Sequence, residues 1–131
     1  MKRLLLFCLC LLVFLPAAAQ RRQSTTVNVD MVLLDQKRTS TGSQTHDLME
    51  FKVKLTNKGE NSLVYTNNRF LLTDADQKTY PVNRLRYPDR NTLNPGESAV
   101  VERIFIDIPK KSKPAKLSFL SGRNAAQTID L

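Results

Sequence analysis

His46 is the only histidine in the 131 residues, and Asp47 stands beside it. A histidine next to a carboxylate suits proton transfer, yet nucleophilic catalysis also needs a hydroxyl or thiol within hydrogen-bond reach. The pair falls in DQKRTSTGSQTHD (Asp35–Asp47), a polar stretch that reads as loop. Neighbours in sequence do not by themselves make a Ser-His-Asp arrangement. The expectation is an exposed loop histidine, and a protein that is not an enzyme. Asp74 and Asp76 in DADQK form a second candidate pair, because hard cations seek clustered carboxylate oxygens. A calcium loop needs about six or more such ligands, Lys78 adds a like charge beside the ion, and aspartate is an ordinary hairpin residue. Turn chemistry is expected there, with no metal and no cofactor.

The arginines are the third group. Arginine offers a planar fork for bidentate contact with carboxylate or phosphate, whereas lysine is a strongly hydrated point charge. Arg84, Arg86 and Arg90 crowd into NRLRYPDR with Tyr87, which could supply a stacking or apolar contact. Arg38 and Arg123 are expected to assist them. The six residues Arg38, Arg84, Arg86, Tyr87, Arg90 and Arg123 are the candidate ligand-binding set. The anticipated partner is an anionic envelope polymer or an acidic protein surface.

Stepwise alternation of apolar and polar residues supplies the elements that would hold these side chains. In TTVNVDMVLLD, Val27, Val29, Met31 and Leu33 share one face. In MEFKVKLT, Met49, Phe51, Val53 and Leu55 do so, against Glu50, Lys52, Lys54 and Thr56. Such a period of two is the mark of half-buried antiparallel strands, and no stretch of the mature chain sustains a helical period. NKGEN follows as a turn, with Gly59 available for a positive φ. SLVYT, RFLLT and TYPV read as short strands, and Pro81 places the last at a sheet edge because it has no donor to give. LNPGES then fits a type II turn with Pro95 and Gly96 at its centre. A long strand runs on to Ile108, with Val100, Ile104, Ile106 and Ile108 on one face, Val101 and Phe105 on the other, and Glu102 interrupting it. AKLSFL and TIDL complete about seven or eight strands, the number expected of an all-β antiparallel sandwich.

If every connection reverses the chain, alternate loops gather at opposite ends. One end then receives Asp35–Asp47, Thr66–Arg69, Asn83–Asn94 and Ser121–Gln127, and with them all the candidate arginines. The other receives NKGEN, DADQK and PKKSKPAK, whose cations are all lysine. The arginine end is therefore the expected recognition surface, carried on the two longest loops.

The chain opens MKRLLLFCLCLLVFLPAAAQ: two basic residues, an apolar run from Leu4 to Leu15, then small residues. That order is a secretory signal peptide, residues 1–19, with the domain at 20–131. The run is short of the roughly 20 residues that span a bilayer, so no membrane span is expected in the mature form. Cys8 and Cys10, the only cysteines, lie inside the run rather than at a lipidation site, so a secreted or periplasmic protein is expected rather than a lipoprotein. Without them the mature domain has no thiol chemistry and no disulfide, and it stands on its core alone. Loss of Lys2 and Arg3 lowers the net charge from +8 to +6. An exported basic chain meets anionic polymers, lipids or acidic proteins and no genomic nucleic acid.

The order FKVKLTNKGENSL, FLLTDADQKTYPV, LNPGES and FIDIPKK resembles a bacterial exported immunoglobulin-like domain of unknown function, which shares its sandwich with a mycobacterial secreted immunoprotective antigen. The likeness spans roughly residues 25–120. It implies an immunoglobulin-like β-sandwich behind a leader, and it carries no catalytic residues. Gln77 departs from it, standing where glycine is usual in the aspartate hairpin. The function anticipated is a non-catalytic binding or accessory module; the alternative is a structural module that joins a partner through a sheet edge, the proline-containing strand at Pro81 being the candidate.

Overall fold

Two long alternating strands set the frame, β1 (Val29–Ser40) and β2 (His46–Asn57), paired antiparallel along their whole length. The computed structural model describes residues 27–86 and 90–131; the expected leader at residues 1–19 and Tyr87 lie outside the described residues. After β2 come the short β3 (Leu63–Val64), a 3-10 turn at Asn67–Arg69, β4 (Phe70–Asp74) and β5 (Thr79–Pro81). Then follow β6 (Arg84–Arg86), β7 (Thr92–Leu93), β8 (Ser98–Pro109), β9 (Pro114–Ser121) and β10 (Asn124–Asp130). One sheet has the order β1-β2-β8-β6 and faces a second of order β10-β9-β4-β5, while β3 and β7 pair at the side. β5, which holds Pro81, is an edge strand as its proline requires. Among the described residues no helix is long and apolar enough to cross a membrane.

The core is the inner face of both sheets. Phe51, Val53, Leu55, Leu72, Ile104 and Leu117 are fully buried, and Phe70 meets Phe119 edge to face with ring centroids 5.2 Å apart. Each such side chain contributes about 1.5–3 kcal/mol on leaving water, so a domain without disulfides can stand on them. Tyr65 is also fully buried, and its hydroxyl donates to the Arg90 carbonyl at 3.0 Å.

Lys52 marks a bend in the first sheet. Phe51 pairs with Ile104 but Val53 with Val101, so β8 has one residue more than β2 between those pairs. Leu33 pairs with Val53 and Asp35 with Lys52, so β1 too has an extra residue there, Leu34. A bulge shifts the phase of alternation. In β8 the shift puts Val101 in the core with Ile104, Ile106 and Ile108, and leaves Val100 half-buried, so the expected assignment of these two valines is reversed. The irregularity at Glu102 is this bulge, and its carboxylate meets Lys52 at 3.3 Å.

The turns follow their chemistry. Gly96 takes φ +83° and Glu97 N–H bonds the Asn94 carbonyl at 3.0 Å, the type II turn that Pro95-Gly96 predicts. Gly59 does not adopt the left-handed conformation; a Cβ there would meet Asn57 Oδ1 at 3.3 Å. What closes NKGEN is Asn57, buried, donating to the Asn61 and Leu93 carbonyls and accepting from Gly59 N–H. Two expected loops are largely strand. Asp35–Asp47 is mostly a two-stranded ribbon with its bend at residues 41–45, and Asn83–Asn94 contains β6 and β7. Leu34–Ser40 are exposed, so burial wrote no alternation into that arm.

Candidate functional site

The arginines do not gather at one end. Alternation of ends fails at β3, whose two residues pair with β7 at the side and do not cross the sandwich. The chain therefore stays at the end marked by Asn57 from the NKGEN turn through Arg69, which lines one hollow with Asn57 and Asn61. Every later connection is shifted by one. Arg123 lies in the β9–β10 turn at that end and is exposed. Arg90 is exposed there also and pairs with Glu97 at 3.1 Å. Lys58 joins them, contrary to the expected separation.

Arg38 lies at the opposite end, among the lysines. Its Nε donates to Asp47 Oδ2 at 2.8 Å, Nη1 to the Ser112 carbonyl at 2.9 Å, and Nη2 to the Lys110 carbonyl at 2.7 Å and the Pro109 carbonyl at 3.3 Å. It fastens the β1–β2 ribbon over the β8–β9 turn. Asp47 thus serves Arg38, while His46, at the start of β2, shares a contact between Nδ1 and Thr45 Oγ1 at 2.8 Å. Histidine and carboxylate form no dyad.

Asp74 completes the same end. Oδ1 accepts from Asp76 N–H and Lys78 N–H, each at 2.9 Å; Oδ2 accepts from Ser112 Oγ at 2.6 Å and Tyr80 OH at 2.8 Å. These donors, Ser112 first, hold its carboxyl down to about 2 against the resistance of burial. Both oxygens of Asp74 are engaged by protein donors, so this aspartate does turn chemistry. Glu97 is lowered as well, chiefly by Asn94 N–H and then by the Arg90 charge.

Arg84 and Arg86 are strand residues, not loop residues. They lie exposed on β6, the edge of the first sheet, while Leu85 between them is half-buried against the core. Across the ladder Arg84 faces Phe105 and Arg86 faces Arg103. The Arg84 guanidinium sits 4.7 Å from the centroid of the Phe105 ring, a cation–π contact that also covers it. These side chains surround a shallow hollow of about 290 Å³ on the outer face of the sheet. Arg103 is tied to Glu50 at 3.2 Å. Among the described residues no carboxylate reaches Arg84 or Arg86.

Around a second hollow on that outer face the charges balance, Asp35, Glu50 and Glu102 against Lys37, Lys52 and Arg103. Arg84 and Arg86 on β6 lie outside that balanced cluster. Arg103 and Phe105 are the members that sequence reasoning missed. The consecutive charges Glu102-Arg103 inside an alternating apolar run were the signal, since two successive outward residues require a bulge.

A comparison with family models and with curated proteins finds no match to the sequence. The structure is similar to that of MPT63, a secreted protein of Mycobacterium tuberculosis, with a TM-score of 0.59 and 18% identity over 81% of this chain and 85% of that one. It is also similar to ycdA, a candidate lipoprotein of Bacillus subtilis, with a TM-score of 0.56 and 17% identity over 81% of this chain. The matched region spans 37% of the ycdA chain. At these identities the likeness is one of fold: an antiparallel, immunoglobulin-like β-sandwich.

Proposed function

We propose that the chain is an exported, non-catalytic binding module whose contact surface is the β6–β8 edge and whose partner carries carboxylate or phosphate groups. The observation that carries the proposal is the placement of Arg84 and Arg86. Both are exposed on one face, and neither has an acidic partner among the described residues, whereas Arg38, Arg90 and Arg103 are each paired. Phe105 supplies an apolar floor that holds one guanidinium in place. The leader MKRLLLFCLCLLVFLPAAA supports export, and the resemblance of fold to a secreted mycobacterial protein agrees with it.

Retention on an immobilised anionic envelope fraction tests the site. The double variant Arg84→Glu/Arg86→Glu is expected to lose retention, while Arg90→Glu/Arg123→Glu keeps it; equal retention of the first variant and the parent overturns the proposal. N-terminal sequencing of the exported protein checks the leader, with Gln20 as the expected first residue.

A further inference from the structure

We infer that the partner at β6 is an extended acidic segment of another protein, added as a strand to the open flank of that edge with its acidic side chains at alternate positions. The inference rests on the anion-binding proposal above and specifies its ligand. Arg84 and Arg86 are two residues apart on one strand, so their Cα atoms are separated by about 6.6 Å, the repeat of alternate side chains in any extended chain. A strand laid beside β6 sets its own alternate side chains opposite those two, within reach of direct ion pairing. The residue between faces the other way, over half-buried Leu85, and is therefore apolar. The sequence pattern recognised is acid–apolar–acid.

The backbone agrees. β6 pairs with β8 on one side alone, and a strand directs half of its donors and acceptors to each side. Among the described residues no backbone group of Arg84–Arg86 bonds outside that ladder. The other edge of the sheet differs. On β1 the Met31 N–H is taken by Gln127 Oε1, and the Gln36 N–H by Asp35 Oδ1 at 2.9 Å. Charge separates the two edges as well, since β1 has Asp35 beside Lys37 and Arg38, whereas β6 is purely cationic. Backbone hydrogen bonds give affinity in strand addition and alternate side chains give selectivity.

The test uses the mature chain and a ten-residue peptide with Glu at alternate positions and Val or Thr between them. Beside it stand a peptide of equal composition with its Glu residues contiguous, inorganic polyphosphate, and phosphatidylglycerol vesicles. Binding is read by calorimetry and by amide chemical shifts at Arg84–Arg86. The alternating peptide is expected to bind about tenfold tighter than the contiguous one, and Arg84→Gln/Arg86→Gln to erase that preference. Equal binding of the two peptides overturns strand addition and leaves the anion site standing. Binding of polyphosphate or vesicles with no peptide binding overturns the inference in favour of a free anion or a membrane surface. Failure of all four ligands removes the site itself.

Discussion

Arg38 and the pair Arg84/Arg86 share a side chain and differ in everything around it. Arg38 makes four hydrogen bonds, three of them to carbonyls at the β8–β9 turn, so four of its five donors are spent on the fold. Arg84 and Arg86 stand on an edge strand with an aromatic floor beneath one of them and no acidic partner among the described residues. Arginine content thus says little about recognition. A guanidinium whose donors are spent on backbone carbonyls is part of the fold, and one without partners is available to something else.

Variants can set these two uses apart. The largest loss of stability is expected at the end Arg38 belongs to, from Asp74→Ala, which strips acceptors from two backbone N–H groups and from the Ser112 and Tyr80 hydroxyls. Its melting temperature should fall further than that of any variant named here, with retention on anionic ligands unchanged once folded. The same carboxyl predicts an acid response. Its folded value of about 2 lies below the ordinary 3.8, so the stability it contributes is complete above about pH 4 and drains away as the pH falls toward 2. Urea midpoints across that window should decline, and Ser112→Ala should flatten the decline by removing the largest cause.

Arg38→Ala comes next, costing about 1–2 kcal/mol in urea unfolding because turn carbonyls lose a charged donor. Gln77→Gly should act in the opposite direction. Gln77 holds φ +65°, and relieving it is worth about 0.5–1 kcal/mol. A change no larger, about 0.5–1 kcal/mol, belongs to Arg84→Ser/Arg86→Ser, which loses the Arg84 contact over Phe105 and no core packing. That variant should nevertheless bind anionic ligand worst of the series. A double variant that melts early and binds normally would erase the distinction between the two uses.

The buried half of the fold was open to reading because burial writes a period of two into the chain. Met49, Phe51, Val53 and Leu55 are buried as their alternation requires, and the Pro95-Gly96 turn follows from the φ values those residues permit. Exposed strands carry no such imprint. The ribbon at Leu34–Ser40 and the three residues of β6 are held by ladders to their neighbours, so polar sequence there looks like loop. The site suffered for it. Arg84 and Arg86 could be picked out by type, yet their grouping with Arg103 and Phe105 depends on β8 pairing, which leaves no local trace, and on a bulge whose one local sign is the consecutive pair Glu102-Arg103. The assumption of strict end-to-end reversal failed for a related reason: a strand of two residues, Leu63–Val64, counts in sequence but does not cross the molecule.

The unequal flanks of the first sheet have a bearing on how such a protein behaves when crowded. Met31 and Gln36 on the far flank already have their N–H groups taken by side-chain oxygens, so the two margins of the sheet do not offer the same template. Strand addition at β6 is thus expected to stop at discrete pairs more readily than to run on into fibres.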